Sequence, residues 1–415
     1  MDALVAETSE TTGVPDGWSE RRLQDVAQLI NGRGFKPFEW DTSGLPIIRI
    51  QNLNGSDDFN YYSGRYDPKI EVENGQLLFA WSGSRGTSFG PHIWNGPKGV
   101  LNYHTWKVRI NENEIVPRYF FQVLRHLTRI IEDQAHGASA LVHVQKWEME
   151  KFPFQCPDDP KEQEAIAEAL SDADALIEGL ERLIAKKRCI KQGAMQDLLT
   201  AKRRLPGFSG EWVETSFGQC FQFMRTGSAS RSQLGTNLGV GYIHYGDIHG
   251  LRSSVLDLSR TRLPEIAPGK VATLSRVRDG DLVIADASED ITDVGKSVEV
   301  RGVGGAAVVA GLHTFLLRGH PDIVADGFKG YLQFLRDVRA GIESIATGSS
   351  VYGISKKNLA ELKFRVPPVD EQAAIGWLFH DMDAEIQALE TRLDKARQVK
   401  EGMMQKLLTG RIRLV

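Results

Sequence analysis

The sequence predicts an α/β protein: two similar mixed α/β domains joined by two long antiparallel coiled-coil helices, with the halves related by a pseudo-two-fold axis. Three observations predict it. A helix-forming segment occurs twice, at 162–205 and 371–414, identical at 21 of 44 positions without a gap. Each copy follows a stretch of short strand-like runs, and each copy changes from acidic to basic along its length.

Taken in order, residues 1–16 hold Asp2, Glu7, Glu10 and Asp16 and no Lys or Arg, so a disordered acidic tail is expected there. Residues 17–157 read as the first globular domain. "LPIIRIQNL" (45–53), "GQLLFAWSG" (75–83) and "TWKVRI" (105–110) are β-rich and bounded by Gly, Asn or Asp, as strands are. A helix is expected over 117–135. The spacer helix of 158–205 comes next, then a second domain at 206–366. Its expected strands are "VGYIHYGDI" (240–248), "GDLVIADAS" (280–288) and "HTFLLR" (313–318), with a helix over 327–346. Residues 367–415 are the second spacer helix.

The globular parts echo one another faintly: "VENGQLLFA" (72–80) against "VRDGDLVIA" (277–285), "YHTWKVR" (103–109) against "LHTFLLR" (312–318), and "HGASALVHVQK" (136–146) against "TGSSVYGISKK" (347–357). The two domains therefore share a plan and have diverged, whereas the helices have not. A segment held constant in both copies faces something identical in both; diverged segments read different things.

In the first helix apolar residues fall at Ile166, Leu170, Ala173, Ile177, Leu180 and Ile184. In the second they fall at Ile375, Phe379, Met382, Ile386, Leu389, Leu393 and Ala396. This 4-3 rhythm is a coiled-coil seam. At 1.5 Å per residue each helix is about 57 Å long. Residues 158–181 carry nine acids and one base, and 182–205 carry eight bases and one acid; 370–390 carry six acids, and 391–415 seven bases and two acids. Antiparallel pairing sets acid against base; parallel pairing would oppose like charges. Part of this polarity is the general preference for acids at helix N-termini and bases at C-termini.

Bulk charge is uninformative. The net −4 is accounted for by residues 1–16, and the remaining 399 residues carry 50 acids and 50 bases. Cys156, Cys189 and Cys220 are unpatterned, so neither a disulfide framework nor a zinc site is suggested. With no long apolar run and no signal-like start, a cytoplasmic setting is expected.

Catalytic signals are weak. "VPPV" (366–369) lacks the polar and aromatic residues that orient an amino group in adenine methyltransferases. "GSSVYGIS" (348–355) has Ile354 where a phosphate-binding loop needs Lys. "PDDPK" (157–161) abuts a helix start, where acids and Pro belong. No catalytic residue and no metal ligand is expected.

The pair "DPKEQEAIAEALSDADALIEGL" and "VDEQAAIGWLFHDMDAEIQAL", with the endings "AMQDLLT" and "GMMQKLLTG", resembles the specificity subunit of type I restriction-modification enzymes over nearly the whole length. The departures are the acidic tail and Ala201-Lys202, which replaces the turn kept at Gly410. The resemblance implies two target-recognition domains, each reading half of a bipartite DNA target, with helices that set the gap and dock two adenine-N6 methyltransferase subunits. It implies a non-catalytic chain that binds no cofactor itself, S-adenosylmethionine belonging to the methyltransferase partner. ATP and Mg would belong to two restriction subunits of the full complex. Alternatives are the recognition subunit of a type II-like methyltransferase or nuclease system, and a coiled-coil scaffold that binds no DNA.

Glycine-rich polar loops can approach a phosphate backbone or base edge closely. On loop position and chemistry the DNA-contact candidates are Arg33, Lys36, Arg49, Gln51, Asn52, Ser84, Arg85 and Lys146 in the first domain. In the second they are Arg225, Arg231, His244, Asp247, Lys296 and Lys356. For partner docking the candidates are Glu162, Gln163, Ile166, Met195, Leu198 and Leu199, with Glu371, Gln372, Ile375, Met404, Leu407 and Leu408. For the apolar ones, seam packing inside the chain is the competing role.

Overall fold

The protein is described from a computed structural model that covers residues 13–134, 141–251 and 253–414. Most of the expected acidic tail (1–12) and part of the 136–146 echo lie outside them. The described residues form two compact units, one from those up to 180 with those from 392 onward, the other from those between 181 and 391.

In the first unit a four-stranded antiparallel sheet runs in the order Ala27–Asn31, Thr105–Ile110, Leu77–Ala80, Gly90–Ile93. A second sheet orders Tyr61–Tyr62, Leu45–Ile48, Gly99–Leu101 and Glu71–Val72, with Ile47 and Val100 paired in parallel. The helix Pro117–Gln134 packs against the first sheet through Phe120, Val123, Leu124 and Leu127. The second unit repeats the plan. A sheet built on Phe221–Phe223, Thr314–Gly319, Leu282–Ala285, Ser297–Arg301 and Val255–Asp257 stands beside a three-stranded one, in which Gly241 pairs in parallel with Val308.

Three expected elements differ. The runs 45–53 and 240–248 are strands only at Leu45–Ile48 and Val240–Ile243; each then turns into a short helix, Ile50–Leu53 or Tyr245–Gly250. The cause is a cap that periodicity does not reveal: Asn52 Oδ1 accepts from the Arg49 N–H at 3.0 Å, and Asp247 Oδ2 from the His244 N–H at 3.0 Å. The expected helix over 327–346 is a 3₁₀ segment, Lys329–Phe334, followed by a helix, Arg336–Ile345. Here the backbone bends around the buried Glu299, whose carboxylate accepts from Gly327 N–H at 2.5 Å. A Cβ on Gly330 would sit 2.1 Å from the Ser254 carbonyl, so only glycine fits.

The long helices are Pro160–Leu198 and Val369–Leu407. Pro160 occupies the first position of the former, and Asp159 caps it, accepting from the Lys161 N–H at 2.9 Å. They pair antiparallel in both units. In the first, Asp174 meets Lys400 at 2.5 Å and Glu162 meets Arg413 at 2.5 Å. In the second, Lys187 meets Glu385 at 2.6 Å, Lys191 meets Asp383 at 2.5 Å, and Arg204 meets Glu371. Rising numbers on one helix meet falling numbers on the other, as the charge polarity requires.

Candidate nucleic-acid interface

The duplicated phrases make two copies of one network. Gln163 Oε1 accepts from the Val116 N–H at 2.8 Å while its Nε2 donates to the Pro157 carbonyl at 2.8 Å. Gln372 repeats this with the Ala325 N–H at 3.0 Å and the Pro367 carbonyl at 2.8 Å. Arg413 forks onto Glu162 and also donates to the Asp16 carbonyl at 2.6 Å; Arg204 forks onto Glu371 and donates to the Gly210 carbonyl at 2.8 Å. The Thr200 hydroxyl donates to the Gln196 carbonyl, and the Thr409 hydroxyl to that of Gln405, both at 2.6 Å. Residues 15–16, the end of the expected tail, are thereby tied down: Pro15 also accepts from the Trp18 N–H at 3.0 Å.

This placement corrects the docking candidates. Glu162, Gln163, Ile166, Leu198, Leu199, Glu371, Gln372, Ile375, Met404, Leu407 and Leu408 are all buried, and Met195 is half-buried. Ile166 joins Met404, Leu407 and Leu408 in the core of the first unit; Leu198 and Leu199 join Ile375 and Phe379 in that of the second. These side chains pack into the chain's own interior, the role that competed with docking for the apolar ones. Of the matching positions that remain exposed, Arg188 with Arg397 flank the seam, where Arg188 pairs with Glu390 at 2.5 Å; the others are Asp172 with Asp381, Ala175 with Ala384, Lys186 with Lys395, and Gln196 with Gln405. Gly193, exposed, and Gly402, half-buried, join them, and a Cβ at either would touch nothing within 4 Å. At 100° per residue these positions lie in an arc of about 120°, opposite the seam. The first unit holds Asp172, Ala175, Lys395, Gly402 and Gln405, and the second holds their twins. Heptad position would have separated them from the buried matches.

The DNA-contact candidates sort by what each side chain already does. Lys36, Gln51, Ser84, Arg85, Arg225, Arg231 and Lys356 are exposed. Arg33 lies over both the Phe35 and the Tyr62 ring (4.8 and 4.9 Å) and pairs with Glu39. Arg49 lies 4.3 Å over the Trp40 ring, and burial draws its pKa down. Gln51 donates to the Asp58 carbonyl at 3.1 Å. Lys146 reaches Glu150 at 3.4 Å, Arg231 pairs with Asp247 at 2.6 Å, and Lys296 donates to the His249 carbonyl at 2.8 Å. Lys356 lies 5.2 Å over the Phe223 ring.

Two candidates are not placed to read bases. Asn52 is buried, its amide spent on the Arg49 N–H and the Ser56 and Asp58 carbonyls. His244 is buried as a helix cap, its Nδ1 accepting from the Gly246 N–H at 3.2 Å, and burial lowers its pKa. Asp247, the counterpart of Asn52, is likewise held by the cap and by Arg231.

In the first unit the two-stranded ladder Ser82–Ser84 with Leu141–His143 sets Ser84 opposite Leu141 at one end, and Lys146 follows just beyond the other. In the second, Ala287–Ser288 pairs with Tyr352–Gly353, and Lys356 follows just beyond the Gly353 end. Beside the first ladder stands a cluster that sequence reasoning missed. Trp81 contacts His104 and His143 edge-on at 5.3 and 5.1 Å, and burial together with His143 lowers the His104 pKa. His313 is the second unit's counterpart, 3.1 Å from Asp286. The shared "HT" of the 103–109 and 312–318 echo was its signal. Among the described residues, no group of three or more His, Cys, Asp or Glu is placed to hold a metal, and no helix is long and apolar enough to cross a membrane.

Comparison with known proteins places this arrangement. The family described as type I restriction modification DNA specificity domain matches residues 15–186. The chain is 25% identical to a putative type I restriction enzyme MjaX specificity subunit of Methanocaldococcus jannaschii, over 98% of this chain and 96% of that one. It is 22% identical to the MjaVIII specificity subunit of the same organism, over 97% and 94%. Among solved structures it matches the type I restriction-modification S subunit from M. genitalium with a TM-score of 0.57 at 15% identity, covering 96% of this chain and 97% of that one. A chain from a structural study of complex assembly and conformational transition in the type I R-M system matches with a TM-score of 0.59 at 14% identity, over 97% and 100%. Both share its fold.

Proposed function

We propose that this chain, which is similar to specificity subunits of type I restriction enzymes, is itself such a subunit: it reads a bipartite DNA target, one half with each recognition domain, and docks two identical adenine-N6 methyltransferase subunits. The observation that carries this reading is the contrast between its parts. The two globular domains keep one plan but present different loop chemistry: Arg33, Lys36, Arg49 and Gln51 in one, Arg225, Arg231 and Lys356 in the other. The helices instead repeat the same bonds in each unit. Unlike readers recognise unlike half-sites, and like surfaces bind like partners.

Docking is supported by the exposed matched positions, for which folding supplies no reason. A glycine inside a helix is about 1 kcal/mol less favourable than alanine. Gly193 and Gly402 are both retained with open space around them, which lets a partner backbone approach closely. The 39-residue helices set the length of the unread gap between half-sites. S-adenosylmethionine would belong to the docked partner, which must take the target adenine out of the stack to methylate it; ATP and Mg would belong to added restriction subunits. This chain supplies sequence reading and assembly. Native mass spectrometry of the chain with its cognate methyltransferase subunit tests the reading. A one-to-two complex that protects a split duplex supports it; a one-to-one complex, or protection of one uninterrupted sequence, contradicts it.

A further inference from the structure

The turn Pro37–Glu39 in the first unit carries an aromatic side chain that nothing in the fold uses. Phe38 is 87% exposed, the most exposed large apolar residue of the described chain. The turn beneath it is fastened. Pro37 fixes its first φ, and the Lys36 N–H donates to the Glu39 carboxylate at 2.8 Å. That carboxylate also pairs with Arg33, whose backbone bonds the Leu101 carbonyl at 2.9 Å. On the other side the Asp41 N–H donates to the Tyr61 carbonyl at 2.9 Å. Phe38 is thus held out on a rigid support.

Its neighbours fit one kind of surface. Trp40, 37% exposed, lies beneath the Arg49 guanidinium, and Lys36 is exposed one residue before the turn. An apolar ring flanked by cations complements stacked bases flanked by phosphates, and apolar wedges of this kind enter base-pair steps and kink the duplex. We propose that Phe38 is such a wedge, inserting at one step of the half-site read by the first unit, with Lys36 and Arg49 on the adjoining phosphates. This rests on the DNA-reading function proposed above. The second unit has the same turn, Arg231–Gln233, with its cap from Gln233 to the Ser230 N–H at 3.0 Å, but Ser232 stands where Phe38 would be. The distortion therefore belongs to one half-site only.

The test uses the complete complex of this chain with its methyltransferase subunits, on a duplex carrying its split target. 2-Aminopurine is placed singly along both half-sites, away from the methylated adenines. The wild type is expected to brighten one step in one half-site. F38A should lose that signal and bind about tenfold more weakly, while F38W keeps both. Melting temperature should not change in either variant, since the side chain makes no buried contact. F38A equal to wild type in affinity and fluorescence overturns the wedge and leaves the proposed function standing. Loss of methyltransferase association in F38A overturns it too, showing a protein-docking residue instead. A complex that binds no split duplex removes the proposed function itself.

Discussion

Replacing Gln372 by Leu separates the folding role of the duplicated helices from the docking role proposed for them. Gln372 is fully buried, and its amide makes three bonds: from the Ala325 N–H at 3.0 Å, to the Ile323 carbonyl at 3.0 Å and to the Pro367 carbonyl at 2.8 Å. Leucine fills nearly the same volume, so little cavity forms. The substitution instead strands a buried donor and deprives two carbonyls of theirs. An unsatisfied buried group costs about 1–3 kcal/mol, and the carbonyls have a second lone pair, so the loss should be about 3 kcal/mol. For a unit of this size that lowers Tm by about 6–12 °C. Q163L removes the equivalent bonds to Val116 and Pro157 and should destabilise the first unit in the same way. Q196A, at an exposed matched position, should stay within about 0.5 kcal/mol of wild type. Calorimetry gives the stabilities, and hydrogen exchange at the Ala325 amide reports the bond directly. A loss below about 0.5 kcal/mol with that amide still protected would refute the reasoning.

Other outcomes follow from particular positions. Ala201 and Gly410 end the two helices at φ 57° and 66°, in the left-handed region. A201G should raise stability by up to about 1 kcal/mol and G410A lower it by at least about as much, by denaturant titration; a Cβ on Gly410 would also sit 2.7 Å from Pro15 Cγ. G193R with G402R should keep or raise Tm yet abolish methyltransferase binding in native mass spectrometry, and either alone should leave one partner bound. Burial lowers the pKa of His92 and His126. Below about pH 6.5 the unfolded chain then binds more protons than the folded one, so Tm should fall on acidification from pH 7.5 to 5.5, and H126Q should flatten the fall. A Tm that rises over that interval would contradict the assignment.

The long helices were legible because duplication and the 4-3 rhythm are properties of sequence alone, and the antiparallel pairing because charge polarity survives into ion pairs such as Asp174 with Lys400. The short helices after Ile48 and Ile243 were not, since each depends on one side chain capping one backbone group. The site was legible only in part. Identity between copies marks a shared environment but does not say whether that environment is a partner or the chain's own core; Gln163 and Gln372 proved to be core. Asn52 and His244 carry base-reading chemistry in the candidate loops, yet folding uses their polar atoms. Phe38 escaped notice because loop reasoning sought polar and basic groups.

The account turns on two unlike readers held by matched helices, and adenine methylation mapped by genome sequencing tests it most directly, in a host with this chain, without it, and with residues 210–365 exchanged for those of a relative. It predicts one split motif with an unread gap, absent without the chain, in which the exchange alters one half and leaves the other half intact. An uninterrupted motif, or an exchange that alters both halves or neither, would contradict it.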